Sequence, residues 1–153
     1  MSRPRQLKES REFYERWSAQ VFTFCRLLCG EQAKAELCTE QTFILFFRFA
    51  DCMDLDSYSQ IPVSLLRFAS DVAEIHCQEP LRADATSRDQ AVLALLFKEH
   101  AAFILVSVLR VRRSAAAIAL RLSREQLKEY WMQAALHLRR LWLSTGESGQ
   151  EPG

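Results

Sequence analysis

Residues 12–30 read EFYERWSAQVFTFCRLLCG, and their pattern decides the fold class. Large apolar side chains recur every three or four residues, which is the spacing of one face of an α-helix. These side chains are Phe13, Trp17, Val21, Phe24 and Leu28. Gly30 follows at once, and glycine is the residue that most often stands just past a helix C-terminus. The stretch therefore predicts an amphipathic helix that stops at Gly30.

The rest of the chain is poor in residues that break helices. The 115 residues between Gly30 and Gly146 contain no glycine, and their only prolines are Pro62 and Pro80. Hairpins and sheet corners need residues that tolerate positive φ, so a fold rich in strands is disfavoured. We predict an all-α fold.

The periodicity and capping signals divide this fold into further helices. We predict helices over residues 31–49, from Pro62 to about 77, over 87–109 and 115–122, and from a capping box at 123–126 to 143. In the second helix, Leu37, Gln41, Leu45 and Phe49 share one line, and residues 43–47 are apolar all round, so we expect neighbours to enclose them. The expected inward-facing positions are Leu65, Leu66, Ala69, Val72 and Ile75 in the third helix, and Leu127, Trp131, Ala134, Leu138 and Leu141 in the last.

These helices group into two small helical domains. We place one domain at 8–77 and the other at 87–143, joined by a polar linker at 78–86 around Pro80. Residues 144–153 carry three of the four glycines, and we expect a disordered tail there.

Charge is distributed unevenly along the chain, although the net charge is only +1. Residues 51–90 hold 3 basic and 8 acidic side chains, whereas residues 91–153 hold 9 basic and 5 acidic ones. The longest apolar run, 101–109, is far shorter than the roughly 20 residues of a membrane span. We expect a soluble cytoplasmic protein without membrane insertion.

No arrangement of residues indicates an enzyme. The sequence has no glycine-rich loop to cradle phosphate, and His76, His100 and His137 all lie in predicted helices. The five cysteines include no CxxC pair, so a zinc site would have to be assembled from distant parts of the chain. We interpret them as small core residues, with redox sensing left open. We predict no catalytic residue, no metal and no cofactor.

The C-terminal segment carries the pattern of a helix-turn-helix. A short helix, a tight turn and a capped amphipathic helix follow one another, and the last helix begins with polar and basic side chains. Such a helix can present those groups to phosphates and base edges. An ordinary helical hairpin is the alternative, and the interleaved Glu125 and Glu129 weaken the local positive field.

The order of these motifs resembles the motif order of the extracytoplasmic-function (ECF) group of the sigma-70 family of RNA polymerase sigma factors. The chain resembles a divergent member of this group. Residues 12–17 (EFYERW) are similar to the opening of sigma region two. Residues 30–36 (GEQAKAE) and 40–43 (EQTF) are similar to the signature of the helix that binds polymerase. Residues 103–105 and 117–128 are similar to region four, which reads promoter DNA.

This resemblance implies two sets of site residues. The set that would contact core RNA polymerase comprises Glu36, Glu40, Gln41 and Phe43. The set that would approach promoter DNA comprises Arg113, Arg124, Gln126 and Lys128. An anti-sigma protein is a further implied partner.

The sequence also departs from the family in ways that keep alternatives open. Arg121 stands where the region-four turn usually has glycine, and the acidic 51–90 segment lacks the basic groove that strand opening requires. A sigma-factor mimic that binds an anti-sigma protein or polymerase without opening promoter DNA is therefore the second hypothesis. A helical oligomerisation module is the third.

Overall fold

A computed structural model describes the backbone of residues 3–49, 59–82 and 96–149, and the side chains of residues 8–49, 59–77 and 96–140. Every regular element in these ranges is helical, which confirms the all-α class. The helices are α1 (Arg3–Cys29), α2 (Gln32–Phe49), α3 (Val63–Arg82), the described part of α4 (96–103), a π-helical turn (Ile104–Val108), α5 (Arg113–Ala119) and α6 (Arg124–Gly149). None of these helices is long and apolar enough to cross a membrane.

The apolar stripe predicted for α1 faces the core. Phe13, Trp17, Val21 and Phe24 are buried, and Leu28 packs against the same core from a partly buried position. Gly30 ends the helix with φ of 76°, and its N–H donates to the carbonyl oxygen of Arg26 over 3.0 Å. This left-handed conformation is the one that favours glycine after a helix.

The buried face of α2 differs from the predicted line of residues. Leu37 is 43% exposed and Phe49 is 68% exposed, and the face that packs on α1 and α3 consists of Ala35, Cys38, Thr39, Thr42, Phe43 and Phe46. Two threonines enter the core because their hydroxyls donate to backbone carbonyls one turn back, over 2.7 Å and 2.6 Å. A pattern that treats threonine as polar therefore predicts the wrong face.

The inward face of α3 is predicted correctly except at its end. Leu65, Leu66, Ala69 and Val72 are buried, but Ile75 is 52% exposed. The buried stripe advances with the 3.6-residue period and reaches the partly buried His76 and Cys77 instead.

Several helix boundaries also differ from the predicted ones. Helix α5 spans Arg113–Ala119 and not 115–122, and α6 continues to Gly149, beyond the predicted end at 143 and into the predicted disordered tail. Helix α3 continues to Arg82, into the predicted linker. An established helix adds one hydrogen bond for each further residue, so it extends past weak stop signals. The capping signal at 87–90 and most of the acidic loop, 51–58, lie outside the described residues.

Buried side chains from both predicted domains form one continuous core. Phe24 of α1, Leu66 of α3, Leu105 of the π turn and Leu127 of α6 all belong to the same cluster. Helix α5 packs directly on α3, and the π turn contacts α1. The division into two domains at 78–86 stays a prediction.

Candidate functional site

Helices α5 and α6 are joined by a tight turn with defined backbone hydrogen bonds. The N–H of Leu120 donates to the carbonyl oxygen of Ala116 over 3.0 Å, and the N–H of Leu122 donates to that of Ala117 over 2.8 Å. Between them, Arg121 adopts φ of 58°, which is the left-handed conformation that closes the turn. The turn directs the chain from the core-packed α5 into the start of α6.

Helix α6 begins with the capping box that the sequence predicts. The N–H of Gln126 donates to Ser123 Oγ over 3.1 Å, and the N–H of Ser123 donates to Gln126 Oε1 over 3.0 Å. Both bonds satisfy N–H groups that lack a partner within the helix. The predicted DNA-binding residue Gln126 is exposed, but its side chain is engaged in this cap.

Three of the four predicted DNA-binding residues line one groove at the start of α6. The groove has a volume of about 520 Å³, and Arg113, Arg124 and Lys128 all contribute to its walls. Their side chains are exposed, so their positive charges face solvent. The turn brings Arg113 beside Arg124 and Lys128, which follow it in the sequence by 11 and 15 positions.

An aromatic residue that the sequence predicts only as part of the core completes this groove. Trp131 also lines it, and the guanidinium of Arg113 lies 5.2 Å from the centre of the Trp131 ring. The indole Nε1–H donates to Ser107 Oγ of the π turn over 2.8 Å, which fixes the ring orientation. The signal in the sequence is a tryptophan within the apolar stripe of the last helix, because a buried indole N–H needs a polar partner.

Acidic groups limit the positive field around the groove. Glu125 lines the groove itself, and the exposed Glu129 follows one turn later on α6. At the turn, Arg121 forms an ion pair with Asp71 of α3, which raises the pKa of the Arg121 guanidinium. Arg121 is therefore paired within the chain, and Arg113, Arg124 and Lys128 supply the charge of the groove.

The predicted polymerase-binding residues occupy different environments on α2. Glu36 and Glu40 are exposed one turn apart on its outer face. Gln41 is partly buried, and its Oε1 lies 2.8 Å from His76 Nε2 on α3. Phe43 is only 3% exposed and packs in the core, with its ring centre 6.2 Å from that of Phe13.

An apolar groove lies between α2 and α3 beside Gln41. Its volume is about 290 Å³, and its lining includes Ile44, Val72 and Ile75. Ile44 is 55% exposed, so the expectation that neighbours enclose all of residues 43–47 is wrong at this position. Together with Glu36 and Glu40, Ile44 forms an exposed strip of mixed acidic and apolar character along α2.

Two of the described histidines each have a polar partner. His137 Nδ1 lies 3.2 Å from Glu99 Oε2, and His76 is engaged with Gln41. Among the described residues, no set of three or more His, Cys, Asp or Glu side chains is arranged to hold a metal ion.

Neither a protein-family model nor a curated protein matches this chain. Its function is therefore inferred from its own residues and their geometry.

Proposed function

We propose that this chain is a divergent ECF-type sigma factor, a non-enzymatic subunit that binds core RNA polymerase in the cytoplasm and directs it to promoters. The observation that carries the proposal is the α5–turn–α6 pair, whose second helix begins with an exposed, capped and basic end. An anti-sigma protein is a further proposed partner.

The groove at the start of α6 supports contact with DNA. Arg113, Arg124 and Lys128 provide three exposed cations next to the N-terminus of a helix, which itself favours anions. The phosphate backbone is the ligand that such a group attracts, and the exposed side chains of the first α6 turn can reach base edges.

The exposed strip on α2 supports contact with a protein partner. Two carboxylates and a large aliphatic side chain, Glu36, Glu40 and Ile44, share an outer face that no described element covers. Phe43 supports this strip from inside the core, so its role in polymerase binding would be to position the helix.

The sigma-factor mimic is the second candidate, and one contact favours it. Asp71 of α3 pairs with Arg121 in the turn that precedes the basic end of α6. An acidic side chain at this position competes with phosphate for the arginine. A chain of this kind would bind polymerase or an anti-sigma protein and would leave promoter DNA closed.

The DNA contact is tested by measuring binding of the polymerase-bound protein to a pool of genomic fragments at several salt concentrations. The double variant Arg124→Ala/Lys128→Ala should bind more weakly, and the slope of log K against log salt should fall by about 1 for each phosphate that is no longer neutralised. The matched control is Arg139→Ala/Arg140→Ala, which removes two exposed cations further along α6. Equal weakening in both variants would contradict a specific role for the groove.

The polymerase contact is tested by direct binding to purified core enzyme. Glu36→Ala/Glu40→Ala should weaken that binding, whereas Glu12→Ala/Glu15→Ala, which removes two exposed acids from α1, should not. Run-off transcription and detection of unpaired bases then separate the candidates. A protein that binds core enzyme without opening any promoter is a mimic, and one that binds neither core enzyme nor DNA refutes the sigma-factor proposal.

A further inference from the structure

Four cysteines that are distant in the sequence come together between α1, α2 and α3. We call Cys25, Cys29, Cys38 and Cys77 the thiol cluster. Cys29 is at its centre, with its Sγ 3.7 Å from Cys38 Sγ and 3.6 Å from Cys77 Sγ. Cys25 is buried in the same core as Cys38 and raises the pKa of the Cys38 thiol. All four are free thiols.

The thiols of the cluster differ in their access to solvent. Cys25 and Cys38 are completely buried, whereas Cys29 and Cys77 are partly exposed. Cys29 and Cys77 are therefore the members of the cluster more accessible to a small reagent. The Cys29 sulfur lies at nearly the same distance from the sulfur atoms of Cys77 and Cys38, so access to solvent is what distinguishes these two partners.

The hydrogen bonds of the cluster favour negative charge on Cys29. The thiols of Cys38 and Cys77 both lie within hydrogen-bonding distance of its sulfur, and these contacts lower the pKa of Cys29, whereas its partial burial raises it. The Cys77 sulfur also lies 3.3 Å from the carbonyl oxygen of Leu28, which is a second acceptor for its proton. Contact with Cys25 and then with Cys29 raises the pKa of Cys38, and contact with Cys29 raises the pKa of Cys77, so Cys29 is the member of the cluster at which negative charge is favoured. The thiolate is the form of cysteine that attacks an oxidant.

We propose that Cys29 is an oxidation site for hydroperoxides and that Cys77 is its resolving partner, so that oxidation links α1 to α3 through a disulfide. This inference is independent of the proposed function, because it depends only on the thiol cluster.

The reaction has two balanced steps. In the first, the Cys29 thiolate attacks the terminal peroxide oxygen, an S–O bond forms, the O–O bond breaks, and hydroxide or alkoxide leaves and takes up a proton. In the second, Cys77 loses its proton and attacks Cys29 sulfur, an S–S bond forms, the S–O bond breaks, and water leaves. The two thiols together lose two electrons, which reduce the peroxide.

The first step favours the second. The hydrogen bond to Cys29, burial and, third, the negative charge on Cys29 raise the pKa of Cys77, and the third cause disappears when Cys29 becomes a neutral sulfenic acid. The two Sγ atoms must then approach from 3.6 Å to about 2.05 Å. Cys77 can release its proton to solvent because it is partly exposed, whereas the buried Cys38 cannot.

The test uses the full chain in a Cys52→Ser background, so that only the thiol cluster contributes free thiols. One equivalent of hydrogen peroxide should reduce the titratable thiols from four to two, and peptide mapping without reductant should identify a Cys29–Cys77 disulfide. Cys29→Ser should react with peroxide no faster than free cysteine does. Cys77→Ser should accumulate a sulfenic acid that dimedone traps at Cys29. The matched control is Cys25→Ala, a buried member of the cluster, which should still form the disulfide.

A second measurement keeps the test valid if a serine variant fails to fold. The alkylation rate of Cys29 by iodoacetamide in the unsubstituted cluster should change less than about twofold between pH 6 and pH 8, whereas an ordinary thiol slows roughly tenfold for each pH unit below its pKa. A mapped Cys29–Cys38 disulfide, an ordinary pH profile at Cys29, or one zinc ion bound per chain with all four thiols protected would each overturn the proposal.

Discussion

Arg121 makes two opposing contributions to the stability of the folded protein. Its φ of 58° lies in the left-handed region, which is unfavourable for residues other than glycine by roughly 1–2 kcal/mol. Its guanidinium pairs with Asp71, but both side chains are well exposed, and exposed ion pairs contribute only about 0.2–1 kcal/mol. The backbone strain is therefore the larger effect.

We predict that Arg121→Gly is more stable than Arg121→Ala by about 1 kcal/mol. Both variants lose the ion pair with Asp71, but only glycine relieves the strained backbone. Urea denaturation followed by circular dichroism measures the difference in the free energy of unfolding. Equal stabilities of the two variants would show that the turn does not hold residue 121 at positive φ.

Trp131 connects the groove to the π turn through one hydrogen bond. The bond from its Nε1–H to Ser107 Oγ is 2.8 Å long and joins residues 24 positions apart. The same ring carries the Arg113 guanidinium on its face, so its orientation affects one of the three cations of the groove.

We predict that Ser107→Ala lowers the free energy of unfolding by about 1–2 kcal/mol, because it leaves the indole N–H without its partner. In Trp131→Phe the same Ser107 substitution should have a much smaller effect. A double-mutant cycle measured by urea denaturation gives the coupling energy of the pair. Additive effects of the two substitutions would contradict a direct hydrogen bond.

At the scale of elements, α6 is stabilised mainly at its beginning. The capping box and the buried Leu127 and Ala134 hold the first three turns. Beyond Ala134, the predicted inward residue Leu138 is 39% exposed, and the side chain of Leu141 lies outside the described residues. The start of α6, where the basic residues lie, is therefore its most firmly positioned part.

We predict that Ser123→Ala destabilises the protein by about 1 kcal/mol, since the first N–H groups of α6 lose their acceptor. Ser123→Asp should retain most of the stability, because aspartate also accepts at this position. Thermal denaturation measures both variants, and Ser18→Ala, a substitution within α1 away from any cap, is the control. A Ser123→Ala variant as stable as that control would contradict the capping role.

At the scale of the whole molecule, one core connects α1 to the first half of α6. Helices α1, α2 and α3 pack on one another, α5 packs on α3, and α6 packs on α5. The buried side chains of these helices form a single cluster. A continuous core of this kind favours cooperative unfolding.

We predict that Leu66→Ala lowers the free energy of unfolding by about 2–5 kcal/mol, because it removes a completely buried side chain of α3. We would follow urea unfolding by tryptophan fluorescence in two single-tryptophan variants, one that retains Trp17 and one that retains Trp131. Leu66→Ala should lower the midpoint of the unfolding transition equally in both. Leu136→Ala, at an exposed position of α6, is the control and should change little. A midpoint that falls for Trp17 alone would instead indicate two independent domains, divided as the sequence predicts at 78–86.

The sequence alone determined the features that depend on near neighbours. The apolar stripe of α1, its end at Gly30 and the capping box at Ser123 each involve residues within a few helical turns of one another. Helical periodicity and capping are local effects, so they can be read without knowing the rest of the fold. The candidate cations Arg124 and Lys128 follow from the same local pattern.

Only the tertiary structure decided which distant residues meet. The Arg121–Asp71 pair joins positions 50 residues apart, the Cys77–Cys29 contact joins positions 48 apart, and the Trp131–Ser107 bond joins positions 24 apart. The burial of Thr39 and Thr42 likewise depends on how α2 is rotated against α1 and α3. Helix packing sets these relationships, and it depends on the shapes of all the surfaces involved rather than on any local pattern.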